Sequence, residues 1–358
     1  MEKTHYTFRQ KLVYSVVGGL ILLVIVLLLS EMLARFINVM KPERNPPYNT
    51  SLKDEKMGWK CKPNYDFKGK MKDEKKKVYE VHYFTDAQGF KNYCPKDSLK
   101  NVPSIWFLGD SYIQSVEVSN EATFYSLAAK QIPMNLFAYG MSGWGNLQEY
   151  MMLDAYFEKI QPDVVVLQVC TNDFIDNLEA MEREAIYQVN ERRPYLTISD
   201  SVYYAQVNKP VLCQYSQLYA AVFPYFRRID IAMNEKKWAE YKVAQQKTDY
   251  PLYAQSLSIT ENILRKFQQR LGNKAQLYLL DTDNIAPFHQ DWQKIAQKLG
   301  ISLIEQVPEK FQAAKKKGVT IHSVDGWHWN PEGHRIAAEA LVEFFTKEIA
   351  KGEIPKKQ

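Results

Sequence analysis

Short and long apolar segments alternate along most of the chain. Runs such as Ile105 to Leu108 and Val164 to Val169 are short, uninterrupted and bounded by polar residues, which is typical of buried strands. The pattern predicts strands at 104–108, 135–139, 163–169, 275–280 and 301–304, and helices at 121–131, 146–159, 256–271, 288–299 and 331–348. Because strands that alternate with helices form parallel sheets, we expect a three-layer α/β/α sandwich with helices on both faces.

The longest apolar segment lies near the N-terminus, where residues 12–29 contain no charge. A helix of that length crosses most of a bilayer core. Three basic residues precede it: Lys3, Arg9 and Lys11. They predict a cytoplasmic N-terminus and an exported remainder, on the periplasmic or extracellular side. A cleaved signal peptide is the alternative, but residues 29–35 offer no small-x-small cleavage site. We therefore predict a cytoplasmic tail at 1–11 and a single-pass transmembrane signal anchor at 12–37.

The rest of the chain divides by composition. Residues 38–101 form a polar extension rich in Lys and Pro, with a hairpin expected around Val78 to Phe84. The α/β region follows at 102–350. After Asp173 its pattern breaks for about eighty residues, which is long for a connection in such a sheet. We therefore predict an insertion at about 180–255, with a hairpin from Arg193 to Gln206 and Tyr-rich helices beyond it.

Four short motifs stand next to predicted strands or helices. They are Gly109-Asp110-Ser111, the glycine block Gly140 to Asn146, Cys170-Thr171-Asn172-Asp173, and Asp325-Gly326-Trp327-His328. A serine just past a strand exposes its hydroxyl, and an Asp and a His three residues apart share one face of a turn. Together they supply a nucleophile, a base and an orienting acid. The N–H of Gly143 and the amide of Asn172 are candidate oxyanion donors.

This ordered set resembles the SGNH (GDSL-type) hydrolases over about residues 102–348. The resemblance implies a flavodoxin-like sandwich and a serine esterase. Taken residue by residue, it implies Ser111 as the nucleophile, with Asp325 and His328 completing the triad. It also implies an oxyanion hole built from the N–H groups of Ser111 and Gly143 and the side chain of Asn172.

Two other nucleophiles are weaker candidates. Ser142 lies among glycines, but the α/β-hydrolase elbow needs G-x-S-x-G and Trp144 stands where the last glycine must be. Cys170 replaces a glycine that the family often has two residues before Asn172. With no thiolate-stabilising partner in the sequence, we expect Cys170 to be a buried small residue.

Composition and motifs limit the partners and cofactors that the protein is expected to bind. The net charge of +5 identifies no partner, and the basic run at 68–77 is interpreted as a solvated loop. Nucleic acid is not expected for an exported domain. The sequence has no HExxH, paired CxxC, P-loop or G-x-G-x-x-G after a strand, so we expect no metal and no other cofactor.

An exported domain permits disulfides, and Cys61 with Cys94 is the expected pair, leaving Cys170 and Cys213 unpaired.

Three tryptophans flank the proposed site residues: Trp144, Trp327 and Trp329. Core packing is their default explanation, and a platform for a sugar ring is the functional alternative. We expect an esterase that removes O-acetyl groups from an envelope or extracellular polysaccharide. Lipase or thioesterase action is the nearest alternative. An acyltransferase or polysaccharide-assembly component with a multi-span membrane partner would carry the same triad, whereas the complete triad disfavours a non-catalytic scaffold.

Overall fold

The structure is a computed structural model that describes residues 7–40, 49–93, 99–189, 191–207 and 210–354. Its strands are β1 Ser51–Asp54, β2 Gly58–Cys61, β3 Asp66–Lys72, β4 Val78–Phe84, β5 Asn92–Tyr93, β6 Ser104–Gly109, β7 Asn135–Gly140, β8 Val164–Val169, β9 Arg192–Leu196, β10 Val202–Gln206, β11 Gln276–Asp281 and β12 Ser302–Ile304. Its α-helices are α1 Phe8–Met40, α2 Ser111–Gln114, α3 Phe124–Ala129, α4 Asn146–Ile160, α5 Asp173–Asp176, α6 Glu179–Arg183, α7 Leu212–Tyr215, α8 Gln217–Met233, α9 Ala239–Gln246, α10 Pro251–Leu271, α11 Phe288–Leu299, α12 Gln306–Lys316 and α13 Pro331–Lys351.

Five parallel strands form the main sheet, in the order β12-β11-β8-β6-β7. These are the five strands that the sequence predicts, and the prediction is confirmed to within one residue at each end. The side chains of β6 and β8 are buried along their whole length, as expected of strands covered on both faces. The short strand β5 from the N-terminal extension adds an antiparallel edge beside β7, which the sequence analysis did not predict.

Helices cover both faces of this sheet, and alternate residues of each strand contact opposite layers. On one face Ile105 and Phe107 pack in a cluster with residues of α3, α12 and α13. On the other face Trp106 and Leu108 pack in a cluster with residues of α4, α10 and α11. The predicted three-layer α/β/α sandwich is therefore confirmed. The carboxyl ends of the parallel strands all meet at one edge of the sheet, where ligands bind in open α/β folds.

The extension and the insertion both contain hairpins. In the extension, β3 pairs with β4, so the hairpin expected around Val78 to Phe84 is larger than predicted and β4 forms only its second strand; β1 pairs with β2. In the insertion, β9 pairs with β10, which confirms the hairpin predicted from Arg193 to Gln206. Arg193 of β9 is buried and pairs with Asp176 at 3.1 Å and with Glu182 at 2.9 Å. These ion pairs hold the hairpin against α5 and α6.

The structure divides into two compact units, one made of α1, α7 and α8 and the other holding the remaining elements. In α1 the apolar side chains from Leu12 to Leu29 are exposed, so α1 is not the core helix of a soluble domain. By length and composition it is the one helix in the described part of the chain that is able to cross a membrane. A membrane anchor and a signal sequence both satisfy this description.

Candidate active site

Ser111 is the first residue of α2 and directly follows β6. Asp110 caps this helix, because its Oδ1 accepts the N–H of Tyr112 at 3.0 Å. The N–H of Asp110 donates to Oε1 of Gln168 on the neighbouring strand β8, also at 3.0 Å. Asp110 therefore fixes the start of α2 both to the helix itself and to β8. This places the serine at the carboxyl edge of the sheet.

Gly140 lets the end of β7 approach this turn closely. A Cβ at that position would lie 2.5 Å from the carbonyl oxygen of Asp110 and from Cβ of Ile113. Neither contact has room to relax, since one partner is backbone and the other is a buried core residue. Glycine at the end of β7 is therefore a requirement of the close packing between β7 and α2.

The glycine block that follows β7 is held from two sides. Both the N–H and the hydroxyl of Ser142 donate to Oε1 of Gln114, at 3.0 and 2.5 Å. The carbonyl of Ser142 accepts the indole N–H of Trp59 at 3.1 Å. Gly143 then adopts a φ of 75°, which favours glycine. Ser142 is therefore bonded into the loop on both sides, and these bonds fix the backbone before Gly143.

Asn172 follows β8 and lies beside Asp110. Its amide donates to Asp176 at 3.0 Å and approaches Oδ2 of Asp110 at 3.4 Å, while its oxygen accepts the Cys170 thiol at 2.7 Å. Cys170 is buried, and burial raises the pKa of its thiol well above the ordinary value. The thiol therefore stays protonated and donates hydrogen bonds, as expected for a structural cysteine.

Asp173, the last residue of this motif, is fully buried. Its carboxylate accepts the N–H of Cys170 at 2.7 Å and the amide of Asn146, the first residue of α4, at 3.0 Å. Burial raises the pKa of Asp173 well above its usual value. This carboxyl joins the end of β8 to the start of α4, and so keeps Asn172 and the glycine block in register.

Asp325 and His328 meet in the loop before α13. Oδ2 of Asp325 lies 2.5 Å from Nδ1 of His328, and its Oδ1 accepts the N–H groups of Trp327 and His328 at 2.9 and 3.0 Å. Asn330 caps α13 by accepting the N–H of Gly333 at 2.9 Å. The loop is therefore rigid at its exit, and Asp325 sets the orientation of the imidazole.

Tyr112 places this loop next to the predicted nucleophile. Its ring lies 5.6 Å from the ring of His328, and its hydroxyl approaches the carbonyl of Trp327 at 3.4 Å. Since Tyr112 directly follows Ser111, the serine and the histidine stand at the same edge of the sheet. In the described part of the chain the side-chain bonds of His328 are made by Nδ1, and none joins Nε2 to Ser111. Free enzymes often keep that bond long.

A family model described as GDSL-like Lipase/Acylhydrolase matches residues 105–341, which is more than half of the chain. The chain belongs to this family. It is therefore a hydrolase that acts on ester bonds, as its motifs predict, and the predicted resemblance to SGNH (GDSL-type) hydrolases is confirmed. No curated protein matches the chain in sequence.

Similar solved structures are distant. A member of the lipolytic protein G-D-S-L family from Veillonella parvula DSM 2008 is 12% identical, with 68% of this chain and 98% of that chain covered and a TM-score of 0.39. The acetylxylan esterase Axe2 from Geobacillus stearothermophilus is 12% identical, covers 68% and 95%, and has a TM-score of 0.35. A Clostridium thermocellum family 3 carbohydrate esterase is 13% identical, covers 71% and 99%, and has a TM-score of 0.38. These similarities assign no substrate to this hydrolase.

Glu117 is a site residue that the sequence analysis missed. It is buried, and its Oε1 lies 3.3 Å from Nδ1 of His328, on the same nitrogen that Asp325 contacts. Burial raises the pKa of Glu117, and the charge of His328 opposes that change. The only signal in the sequence is a glutamate six residues after Ser111, which no motif of the family distinguishes from a surface residue.

The two carboxylates change the proton affinity of His328. Burial disfavours the charged imidazolium, but the hydrogen bond with Asp325 and the charges of Glu117 and Asp325 outweigh it and raise the pKa of His328 to about 9. Oxygen atoms of Glu117 and Asp325 and a ring nitrogen of His328 lie within 4.8 Å of one another, as in a cation site. Because Nδ1 is already bonded to Asp325, we assign this cluster to holding the imidazole and its proton.

Lys91, in the extension, supports the other end of α2. It is buried, and its ammonium donates to the carbonyls of Gln114, Ser115 and Val118, at 3.1, 2.5 and 3.3 Å. Burial lowers the pKa of Lys91 to about 7. The segment that Lys91 holds runs from α2 to Glu117, so the extension is part of the support of the site as well as a cover for the core.

The prediction that tryptophans form a sugar-binding platform is wrong for two of the three residues. Trp144 and Trp329 are 0% and 2% exposed, so neither ring has a free face for a sugar. Trp144 donates to the carbonyl of Trp59 at 2.9 Å, and Trp329 packs against Phe124 and Phe311. Both lie in the core because they belong to segments that pack directly on the sheet and its helices. Trp327 is 60% exposed and stays a candidate.

The predicted disulfide stays a prediction, because Cys94 lies outside the described residues. Cys61 is buried, and its thiol donates to the carbonyl of Gly140 at 3.1 Å. Burial raises the pKa of this thiol to about 12. His334 is buried and accepts the N–H of Phe124 at 3.1 Å, so it packs in the core outside the candidate site.

The Glu117→Gln variant tests whether Glu117 acts on His328. The base must be neutral to accept a proton, so kcat/KM of the unchanged enzyme should rise with pH and level off above about 9. Removing the charge of Glu117 should lower the pKa of His328 and move this rise to lower pH by about one unit. The measurement is the pH profile of kcat/KM on a p-nitrophenyl ester.

Glu121→Gln is the matched control, because Glu121 is an exposed carboxylate of the same segment. It should leave the profile unchanged. A profile of Glu117→Gln that superimposes on the unchanged enzyme would mean that Glu117 contributes only to packing.

Proposed function

We propose that this hydrolase is a serine esterase that removes O-acetyl groups from an exported or envelope polysaccharide. The observation that supports the proposal is the Asp325–His328 pair, whose imidazole contacts the ring of Tyr112, the residue directly after Ser111. A histidine oriented by a carboxylate and placed beside a serine is the arrangement that activates a hydroxyl for attack on an ester.

In the proposed reaction, Nε2 of His328 accepts the proton of Ser111 as Oγ forms a bond to the ester carbonyl carbon. The carbonyl oxygen becomes negatively charged and accepts hydrogen bonds from the N–H groups of Ser111 and Gly143 and from the amide of Asn172. The C–O bond to the alcohol then breaks, and His328 returns the proton to the departing oxygen. An acyl-serine and a free hydroxyl result.

Water completes the cycle. His328 accepts a proton from the water molecule as its oxygen attacks the acyl-serine carbonyl, and the same three donors stabilise the second tetrahedral intermediate. Collapse releases the carboxylic acid and returns the proton to Ser111. Throughout, Asp325 keeps Nδ1 protonated and stabilises the imidazolium, and Glu117 adds a second negative charge at 3.3 Å.

The carbohydrate substrate is proposed from Trp327. Its ring is exposed and lies one residue from His328, where the alcohol part of the ester leaves. An exposed indole face stacks well on a sugar ring, while a long acyl chain needs an apolar channel. Lipase, thioesterase or acyl-transfer activity would use the same triad. Preference for acyl-chain length, and transfer to a sugar in place of release to water, distinguish these activities.

We also propose that α1 is retained as an anchor, with its N-terminus in the cytoplasm and the hydrolase domain outside. The support is the uncharged run of α1, the basic residues before it and the absence of a small-x-small cleavage pattern after it. The enzyme would then act on material that the cell exports or encloses. No nucleic-acid partner is part of this proposal.

Ser111→Ala tests the nucleophile, and Ser142→Ala is its matched control. Loss of the attacking oxygen should lower kcat on p-nitrophenyl acetate by about 10⁴-fold or more. Ser142→Ala removes one hydroxyl hydrogen bond and should cost less than about ten-fold, since the loop keeps its backbone bonds. Equal losses in both variants, or full activity of Ser111→Ala, would overturn the assignment.

Trp327→Ala tests the carbohydrate substrate. Loss of a stacking surface should raise KM for an acetylated oligosaccharide by about ten-fold, equivalent to about 1.4 kcal/mol, and leave p-nitrophenyl acetate hydrolysis within about two-fold. The unchanged enzyme should prefer acetyl over longer acyl esters. A preference for long chains would favour lipase action, and acetyl transfer to added sugar in place of release to water would favour a transferase.

A further inference from the structure

Large apolar side chains are exposed in one short stretch of the insertion, residues 211–233. The exposed side chains are Val211, Leu212, Tyr215, Tyr225, Phe226, Ile229 and Met233. The stretch contains α7 and α8, which belong to the same compact unit as α1. Single exposed apolar side chains are ordinary in soluble proteins, but a contiguous group of this kind marks an interaction surface.

Six apolar residues of α8 form a stripe along one side of the helix, while Phe223 and Ile231 lie on other sides. The stripe is made of Leu218, Val222, Tyr225, Phe226, Ile229 and Met233, at helical intervals of three and four residues. Two arginines, Arg227 and Arg228, fall outside this stripe. A helix with aromatic and aliphatic residues on one side and arginine elsewhere has the pattern of helices that lie in a membrane interface.

Glu31 of α1 attaches the start of α8 to the candidate membrane span. Its carboxylate accepts the hydroxyl of Ser216 at 2.8 Å and the N–H groups of Gln217 and Leu218 at 3.0 Å each. The first N–H groups of a helix have no partner inside the helix. The carboxylate of Glu31 therefore caps α8 and also holds the first turn of α8 against α1.

The position of Glu31 along α1 sets the depth of this contact. The uncharged run of α1 ends at Leu29, and eighteen helical residues span about 27 Å, close to the thickness of a bilayer core. Glu31 therefore lies at the boundary between acyl chains and headgroups when α1 crosses a bilayer. Arg35, one turn further, donates to Glu31 at 2.7 Å and to the carbonyl of Tyr215 at 3.0 Å.

We infer that α7 and α8 lie in the lipid interface of the membrane that α1 spans, with the apolar stripe of α8 facing the acyl chains. Lipid is the occupant because α8 starts on the surface of the span itself and at headgroup depth, where tyrosine and arginine are also favoured. The inference rests on the proposed retention of α1 as an anchor. It adds a second membrane contact to a single-span protein.

The test places a photoreactive residue on the stripe of the full chain. The variant Phe226→p-benzoylphenylalanine is reconstituted in vesicles of phosphatidylcholine and phosphatidylglycerol, illuminated, and analysed by mass spectrometry for lipid adducts. Arg228→p-benzoylphenylalanine is the matched control, since residue 228 lies on nearly the opposite side of α8. Lipid adducts should form at position 226 in at least about five-fold higher yield than at position 228.

The intact mass of the reconstituted chain shows first whether α1 is retained. Loss of α1 would contradict the proposed anchor, and the inference with it. A retained α1 with equal lipid yields at the two positions would overturn the inference alone. Adducts that join two copies of the chain through position 226 would overturn it as well, because a second protein would then occupy the stripe.

Discussion

The buried carboxylate of Asp110 is the contact on which the site depends. One of its oxygens accepts the N–H of Tyr112 at 3.0 Å, and the other lies 3.3 Å from the thiol of Cys170 and 3.4 Å from the amide of Asn172. A single side chain therefore fixes the start of α2 and the loop after β8 together. Ser111 is the first residue of α2 and Asn172 lies in the loop after β8, so the same carboxylate sets the positions of the proposed nucleophile and of one proposed oxyanion donor. Replacing that side chain would remove the acceptor of the Tyr112 N–H, whereas the Cys170 thiol and the Asn172 amide would keep their bonds with Asn172 and Asp176.

The sheet, its order of elements and the four motifs were predictable because each depends on local pattern. Fully buried parallel strands are continuous apolar runs, and a motif that follows such a run must lie at the carboxyl edge of the sheet. Glu117, Lys91 and Trp59 were not predictable in the same way. Each acts through one contact with a segment far away in the chain, and such a contact leaves no periodicity. The burial of Trp144 was not predictable either, because the sequence does not show whether a side chain in a loop faces the core or the solvent.

Two carboxylates contact the same imidazole in this hydrolase, and both raise the proton affinity of His328. Asp325 orients His328 through a short contact, whereas Glu117 approaches the same nitrogen from the segment after α2. Their negative charges raise the pKa of His328, and in the proposed reaction they would stabilise the imidazolium that forms when Ser111 attacks. Lys91 maintains this arrangement by fixing the turn from which Glu117 extends.

In the proposed reaction, Ser111 carries the acyl group. Reaction of the full chain with a fluorophosphonate, followed by digestion and mass mapping, tests this role most directly, because such reagents modify a serine only when it is activated as a nucleophile. We expect a single adduct on Ser111, formed with loss of esterase activity and reduced in His328→Ala. An adduct on Ser142, or complete loss of activity without modification of Ser111, would show that Ser111 is not the nucleophile.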